Sequence, residues 1–363
     1  MTTLFDPVSL GDIKLSNRIV MAPLTRGRAG ETRIPNDLMV EYYRQRAGAG
    51  LIITEATAIS AQGYGWPGAP ALYTDEHEAG WKKVVDAVYA EGGKIVLQMW
   101  HMGRVVDESL IPEGEKSVGP SAIAAGENIR RASGKSYPTP RALEADELPG
   151  IIEDYVRGAE RAIRAGFDGV EVHNANGYLL DQFLRDGSNK RSDAYGGSIE
   201  NRMRFPLEVV RAVCDAIGPG KVGVRVSPTN KFNDMSDSDP VALFTAYAEA
   251  LNPLNLAYLH VMEPNHKEHF MANPDLPYVT PHIHDAYKGK LMVNGGYTAD
   301  EGEKALEEHA ADAVAYGVLF IANPDLVERF KQGAPLNAPD QSTFYTPGAK
   351  GYTDYPSLKE KAA

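Results

Sequence analysis

Short apolar runs alternate with helix-period segments along most of the chain. The apolar runs are rich in Val, Ile and Leu at nearly every position, which is typical of parallel strands covered on both faces. They predict strands at Asn17–Ala22, Leu51–Ala56, Lys94–Trp100, Gly169–Asn174, Val222–Ser227, Ala257–Met262, Leu291–Asn294 and Ala313–Gly317.

The segments between these strands carry apolar residues at helical spacing. They predict helices at Asn36–Ala47, Asp75–Glu91, Pro149–Ala165, Ser198–Ile217, Asp239–Leu251, Thr280–Tyr287, Ala299–Glu308 and Asn323–Gln332. Several begin with a side chain that suits a helix N-cap, namely Thr74 or Asp75, Ser198, Asp239, Thr298 and Asn323.

This alternation predicts a parallel α/β fold, and its two forms are a closed barrel and a doubly wound open sheet. The first strand is not followed by Gly-x-Gly-x-x-Gly, so we expect one (β/α)8 barrel domain over residues 1–363. An N-terminal hairpin at Leu4–Leu15, turning at Leu10-Gly11-Asp12, is expected to plug the bottom of the barrel.

Two segments are longer than the usual connection between a strand and a helix. Met102–Glu147 follows the third strand and Asn176–Gly197 follows the fourth. Both belong to the face where barrel active sites lie, so Met102–Glu147 is either an active-site lid or a loose surface insertion. Lys359–Ala363 is expected to be a frayed tail.

Composition narrows the classes of function. The net charge of −12 argues against a general nucleic-acid or anionic-membrane surface, so an anionic cofactor needs a local positive pocket. The single cysteine, Cys214, excludes an intrachain disulfide and is expected to be a small buried residue. The N-terminus does not resemble a signal peptide and no apolar run reaches about 20 residues, so a cytoplasmic protein is expected.

Polar residues at the ends of the barrel strands are the candidates for chemistry. Asn294-Gly295-Gly296 lies between the seventh strand and a helix, where glycine lets backbone N–H groups approach a phosphate. An ordinary glycine-rich turn is the alternative.

His173, Asn176 and Tyr178 follow the fourth strand. A histidine and an asparagine can donate hydrogen bonds to one carbonyl oxygen, and a nearby tyrosine can deliver a proton. Taken singly, each has a plain alternative: His173 as a structural residue and Tyr178 as a wall or core residue.

Arg225 lies within an apolar strand, so it needs an ion-pair partner or a planar anionic cofactor to stabilise. Gln98 and Trp100 alternate on the third strand and therefore share a face, either as barrel packing or as site residues. His282-x-His284 lacks a third ligand, and no metal is expected.

The chain closely resembles the Old Yellow Enzyme family of FMN-dependent NAD(P)H oxidoreductases. Nearly the whole chain carries the resemblance, in LFDPVSLGDIKLSNRIVMAPLTR, EYYRQRAGAGLIITEAT, KIVLQMWHMGR, AGFDGVEVHNANGYLLDQFLRDGSNKRSDAYGGSIENRMRF, VRVSP, NGGYT and FIANPDLVERF. Within that family it is most similar to the bacterial pentaerythritol tetranitrate, glycerol trinitrate and N-ethylmaleimide reductases.

The resemblance implies a bound FMN, with NADPH or NADH as the reductant. Residues along the flavin would be Pro23, Leu24, Thr25, Ala56, Gln98, His173 and Arg225, and those at its phosphate Asn294, Gly295 and Gly317, with Val318 beside them. Trp66, Trp100, Phe344 and Tyr345 would shape the substrate cavity. The protein would be a monomer or weak dimer.

The resemblance further implies an ene-reductase. His173 and Asn176 would hold the carbonyl or nitro oxygen of an activated alkene, and flavin N5 would deliver hydride to the β-carbon. Tyr178 would then protonate the α-carbon from the opposite face. Two alternatives stay open: reduction of nitrate esters or nitro compounds by the same flavin, and a flavin-free barrel that binds a phosphorylated ligand.

One position departs from the family pattern. The family usually has a basic residue after the glycine that ends the eighth strand, but Gly317 is followed here by Val318. We therefore expect weaker retention of FMN than in a variant with a basic residue at this position.

Overall fold

The computed structural model describes residues 2–126, 134–264, 269 and 272–361. Its strands are β1 (Val8–Leu10), β2 (Ile13–Leu15), β3 (Ile19–Met21), β4 (Leu51–Ile53), β5 (Thr57–Ala58), β6 (Ile95–Trp100), β7 (Val118–Gly119), β8 (Arg141–Ala142), β9 (Gly169–His173), β10 (Val222–Val226), β11 (Tyr258–Met262), β12 (Leu291–Asn294) and β13 (Ala313–Tyr316). Its helices are α1 (Asp37–Arg44), α2 (Asp75–Ala90), α3 (Leu148–Ala165), α4 (Leu179–Leu184), α5 (Ile199–Ile217), α6 (Pro240–Leu251), α7 (Thr280–Ala286), α8 (Ala299–Glu307), α9 (Val318–Ala322), α10 (Leu326–Gln332) and α11 (Leu358–Lys361).

The parallel sheet closes on itself. Its strands follow the order β4-β3-β13-β12-β11-β10-β9-β6, and β6 pairs back to β4, while the short β5 continues beside the end of β6. The predicted (β/α)8 barrel is therefore confirmed and the open sheet is wrong. Closure brings the carboxyl ends of all eight barrel strands to one face.

Side chains alternate across the barrel wall with the strand period of two. In β10, Val222, Val224 and Val226 belong to the large core that also contains helix residues such as Leu243. Gly223 and Arg225 consequently face the barrel interior. A buried strand can thus carry a polar inner residue without interrupting its apolar outer face.

The N-terminal hairpin closes the bottom of the barrel as predicted. β1 and β2 pair antiparallel, and Leu10, Ile13 and Leu15 pack with interior residues of the barrel strands, including Val20 and Met292. The amide of Asp12 donates to the Gly220 carbonyl at 2.8 Å, which fixes the hairpin to the loop before β10.

Four of the predicted N-caps are confirmed. Thr74, Ser198, Asp239 and Thr298 each accept a hydrogen bond from a backbone N–H in the first turn of the following helix. Asn323 is wrong as an N-cap, because residues 318–322 form a separate short helix that ends at Asn323. Its side-chain oxygen instead accepts from the amide of Asn337 at 2.7 Å.

Both long excursions contain structure that the sequence pattern did not predict. Asn176–Gly197 includes α4, and Met102–Glu147 includes the paired strands β7 and β8. In Met102–Glu147, the side chains of Val105, Val106 and Ile111 pack into one hydrophobic cluster with Trp100, so the described part of this segment is not loose. Residues 127–133 of that segment lie outside the described ranges, and its role as a lid stays a prediction.

The first residues of the expected frayed tail are helical and not frayed. Leu358–Lys361 is a helical turn, and the amide of Leu358 donates to Asp325 at 2.6 Å. Residues 362 and 363 lie outside the described part of the chain.

Candidate active site

His173 and Tyr178 meet at the carboxyl end of β9. His173 is the last residue of that strand and is buried, and its ring centroid lies 5.0 Å from that of Tyr178. The Tyr178 ring also packs edge-on against Trp100, with centroids 4.9 Å apart. β6 and β9 are neighbours in the barrel, so the pairing of strands brings these three rings together.

Asn176 lies between them on a sharp reversal of the chain. Its φ is +58° and that of Gly177 is +75°, so two successive residues adopt the left-handed region. Asparagine tolerates this conformation better than most residues, and a Cβ on Gly177 would lie 2.7 Å from Met235 Cγ. The reversal lets Asn176 and Tyr178 remain near His173 although the strand has ended.

Burial makes His173 a neutral donor. Removal from water, the positive charge of Arg225 and the neighbouring His260 together hold the pKa of His173 well below its usual value. A neutral imidazole still carries one N–H group that can donate. For Tyr178, burial raises the pKa of the phenol, so its hydroxyl keeps its proton at neutral pH.

Asn294, at the end of β12, holds the guanidinium of Arg225. Its Nη2 donates to Asn294 Oδ1 at 2.9 Å, and Asn294 Nδ2 donates to the Ala315 carbonyl at 2.7 Å. The side chain of Asn294 is thus committed to the barrel, and only its backbone is left for a phosphate.

A buried polar network occupies the barrel interior beside Arg225. Glu171 accepts from Gln98 Nε2 at 2.7 Å and bonds to His260 Nδ1 at 2.8 Å. Burial alone would raise the pKa of Glu171, but His260, its hydrogen bonds and Arg225 outweigh burial and lower it. The ionised Glu171 therefore balances the buried guanidinium of Arg225.

Sequence reasoning missed Glu171 and His260, although it singled out Arg225. The same signal was present in both strands, because a charged residue in a buried apolar run needs a partner. The network also orients Gln98: a carboxylate only accepts, so the amide nitrogen of Gln98 faces Glu171 and its oxygen is left for another donor.

The glycine turn after β12 has the shape of an anion cradle. Gly295 has φ +152°, and a Cβ there would lie 2.2 Å from the Glu263 carbonyl oxygen. Across the turn, a Cβ on Gly317 would lie 3.4 Å from Leu24 Cδ2, so the ends of β3 and β13 adjoin this corner. Only glycine fits the first of these positions.

Val318 leaves one side of this corner without a side-chain cation. It is the first residue of α9, and 42% of its surface is exposed. His269, which sequence reasoning missed, packs over the neighbouring turn: a Cβ on Gly296 would lie 3.2 Å from His269 Cδ2.

Three of the four predicted cavity residues are connected, because Trp66 packs in one hydrophobic cluster with Trp100 and also contacts Tyr345. Ala56, Trp100, Trp66 and Tyr178 belong to a single hydrophobic cluster. Tyr345 is 61% exposed and contacts Trp66 with ring centroids 5.5 Å apart.

The other expected site residues follow β3 or lie against the loop that follows it. Phe344 lies 5.8 Å from the guanidinium carbon of Arg26, measured at its ring centroid. Pro23, Leu24 and Thr25 follow β3 after Ala22, with Pro23 buried and the other two half-buried.

Other sequence candidates stay outside the site. Cys214 is a buried free cysteine in α5. His282 and His284 lie in α7, and His284 bonds to the His309 carbonyl at 2.9 Å. Within the described ranges, no group of three or more His, Cys, Asp or Glu could hold a metal ion, and no helix is long and apolar enough to cross a membrane.

The residues at the mouth fit FMN. Arg225 Nε, Trp100 Nε1 and His173 Nδ1 are buried polar atoms without a hydrogen-bond partner in the described part of the chain. Such atoms are costly unless a ligand or water completes them. The guanidinium suits a ring that gains negative charge, and the cradle at Gly295 suits a phosphate.

Comparisons with known proteins agree with this geometry. Residues 3–337 match the NADH:flavin oxidoreductase / NADH oxidase family. A probable flavin mononucleotide-dependent alkene reductase of Leishmania infantum is 46% identical, over 97% of this chain and 96% of the relative. A putative 12-oxophytodienoate reductase of Oryza sativa subsp. japonica is 45% identical, over 98% of this chain and 97% of its own length.

Solved structures have the same fold over the full chain. The old yellow enzyme homologue of Zymomonas mobilis has a TM-score of 0.95 at 43% identity, covering 98% of this chain and 100% of that one. Morphinone reductase in complex with tetrahydroNAD has a TM-score of 0.93 at 48% identity, covering 100% and 99%. The chain therefore belongs to the NADH:flavin oxidoreductase / NADH oxidase family and, like the Old Yellow Enzyme homologues, is an FMN-dependent NAD(P)H oxidoreductase.

Proposed function

We propose that the protein reduces the C=C bond of activated alkenes, such as enones, enals, maleimides and nitroalkenes, with NADPH or NADH as electron source. The observation that carries the proposal is the packing of His173 against Tyr178, with Asn176 on the turn between them. The similarity to a probable alkene reductase and to morphinone reductase in complex with tetrahydroNAD supports it.

The residues proposed to hold FMN surround the mouth of the barrel. Bound there, FMN would supply hydride from its N5 atom. Its ring would lie along Pro23, Leu24, Thr25, Ala56, Gln98 and His173, with Arg225 at the N1–C2 edge and the backbone of Asn294, Gly295 and Gly317 at the phosphate.

His173 and Asn176 would bind the substrate oxygen. Both are neutral donors, His173 because burial lowers its pKa and Asn176 because an amide does not titrate. Two donors on one carbonyl or nitro oxygen draw electron density from the β-carbon, which makes that carbon the better hydride acceptor. Trp66, Trp100, Phe344 and Tyr345 would bound the cavity and select the substrate's shape.

Tyr178 would supply the proton to the α-carbon. Its pKa is raised by burial, so the hydroxyl carries its proton at neutral pH and transfers it only to a strong base such as a carbanion. The contact of Tyr178 with His173 supports this role, because the phenol would then lie beside the proposed oxygen-binding group.

Tyr178→Phe tests this role. We expect the reoxidation of reduced flavin by cyclohex-2-enone to slow roughly 10²–10⁴-fold, the usual contribution of a general acid, while reduction of the flavin by NADPH stays within a few-fold. Stopped-flow absorbance of the flavin measures both half-reactions, and Tyr345→Phe is the matched control. An equal loss in both half-reactions would show that Tyr178 maintains the site and does not deliver the proton.

The family match contradicts the flavin-free alternative, since the chain belongs to a flavin family. Nitrate-ester or nitro-compound reduction would use the same flavin with less dependence on Tyr178, so the same variant separates it from alkene reduction. Placement in the bacterial nitrate-ester reductase branch, a cytoplasmic location and a monomer or weak dimer stay predictions from the sequence.

A further inference from the structure

The loop after β10, residues 227–233, holds Asn176 at three atoms. Ser227 Oγ accepts from the Asn176 amide at 2.7 Å, and Asn233 Nδ2 donates to the Asn176 carbonyl at 2.8 Å. The third bond reaches the side chain, where Asn230 Nδ2 donates to Asn176 Oδ1 at 2.8 Å. The first two bonds stabilise the left-handed backbone of Asn176, and the third acts on the group that would meet the substrate.

The direction of the third bond follows from a backbone group. The amide of Phe232 donates to the Asn230 side chain at 2.8 Å, and a backbone N–H can only donate, so the acceptor is Asn230 Oδ1. The other end of Asn230, its NH₂ group, therefore faces Asn176. An NH₂ group can only donate, so the atom of Asn176 that it meets is the amide oxygen.

With its oxygen engaged, Asn176 presents its NH₂ group to a ligand. We propose that Asn230 is a positioning residue that fixes Asn176 as a hydrogen-bond donor, so that the site accepts a carbonyl or nitro oxygen and disfavours N–H donors. The inference rests on the proposed function, because it takes Asn176 as a contact of the substrate oxygen. No contact between Asn230 and the substrate is required.

Asn230 is itself fixed in place by a buried ion pair. Only 1% of its surface is exposed, and its carbonyl accepts from Arg185 Nη1 at 3.3 Å. Arg185 also donates to the Ser227 carbonyl and pairs with Asp181 at 2.9 Å. Asp181 in turn accepts from the Gly177 amide at 2.8 Å.

One buried pair thus ties the loop after β9 to the loop after β10. Because both backbones are held, a change of polarity at residue 230 is absorbed by rotation of the Asn176 amide rather than by movement of the loops. The direction of the hydrogen bond between Asn230 and Asn176 can therefore be tested directly.

Asn230→Asp reverses the direction of the hydrogen bond between residues 230 and 176 with little change in side-chain volume. An ionised carboxylate has no hydrogen to donate, so one oxygen accepts from the Phe232 amide and the other can only accept from Asn176. Asn176 then turns its NH₂ group toward the new carboxylate and its oxygen toward the ligand. The site should lose preference for acceptors and gain preference for donors.

Two neutral five-membered rings measure that preference. Cyclopentanone only accepts a hydrogen bond, and the N–H of pyrrole only donates. Their dissociation constants are measured on the oxidised holoprotein from the perturbation of flavin absorbance, without turnover. We expect the ratio of the pyrrole to the cyclopentanone dissociation constant to fall about tenfold to a hundredfold in Asn230→Asp, since one hydrogen bond changes for each ligand.

Lys231→Gln is the matched control, because it changes the charge of the same loop by the same amount at an exposed side chain. It should leave the ratio unchanged. Asn230→Ala, which removes the donor without adding an acceptor, should move the ratio part of the way and serves if Asn230→Asp does not retain FMN. An unchanged ratio in both Asn230 variants overturns the inference.

The Asn176→Ala background separates the inference from the proposed function. There Asn230→Asp should not change the ratio, because the amide that it acts through is gone, and an undiminished change would show that the carboxylate acts by its charge alone. If Asn176→Ala itself leaves the cyclopentanone affinity intact, the proposed oxygen contact fails. If that affinity falls while the Asn230 variants have no effect, only the positioning role fails.

Discussion

Val318→Arg tests how much a basic side chain at this position would strengthen the binding of FMN through its phosphate. Val318 opens α9 directly after Gly317 and is 42% exposed, so a longer side chain can be accommodated there without displacing the core. A hydrogen bond between charged groups contributes about 1.5–3 kcal/mol, and partial exposure to solvent reduces this. We expect about 1–2 kcal/mol, which corresponds to a dissociation constant for FMN roughly 5- to 30-fold lower.

Titration of the apoprotein with FMN, followed by quenching of flavin fluorescence, measures the change. Val318→Met is the control for side-chain length without charge. Riboflavin, which lacks the phosphate, should bind all three proteins equally. The advantage of the arginine variant should also shrink at about 1 M salt, where charges are screened beyond about 3 Å.

Equal FMN affinity of the Val318→Arg and Val318→Met variants would refute the reasoning. It would mean that the backbone groups around Gly295 and Gly317, with any contribution from His269, already satisfy the phosphate. A gain that extends to riboflavin would equally refute it, because the added residue would then act away from the phosphate.

Two further predictions concern buried groups. Glu171→Gln should lower the free energy of unfolding by about 3–5 kcal/mol, because Arg225 loses the anion that balances it in the barrel interior; urea unfolding at fixed excess FMN measures this, and a loss below about 1 kcal/mol would contradict it. Burial lowers the pKa of His101 to about 4, against about 6.5 in the unfolded chain. Because the unfolded state binds the proton more tightly, stability is complete above pH 6.5 and declines as the pH falls toward 4, with a loss of about 2 kcal/mol from this residue at pH 5. His101→Gln should flatten that part of the stability profile, and an unaltered slope would assign the decline to other groups.

The barrel and the location of its site follow from local patterns. Buried strands and amphipathic helices differ in hydrophobic period, and caps such as Thr298 are decided within a few residues. Once eight strands alternate with helices, polar residues at strand ends must gather at one face. For this reason His173 and Tyr178 could be placed together before any contact was known.

Boundaries and insertions were less accessible, because they depend on contacts with distant segments. The segment 318–322 is too short to show the hydrophobic period of a helix. Asn323 has the same side chain whether it begins a helix or ends one. Its bond to the amide of Asn337 decided the matter.

By itself, the sequence determined the order of the eight barrel strands and of the main helices between them, the closed barrel and the residues that face its mouth, since these depend on periodicity along neighbouring positions. Only the tertiary structure decided which polar groups meet. Glu171 and His260 are 89 residues apart, and Asn176 and Asn230 are 54 apart, yet each pair is joined at 2.8 Å. Strand register and loop conformation set those distances, and a hydrogen bond fails when they change by about 1 Å. The direction in which Asn176 donates is therefore a property of the folded barrel.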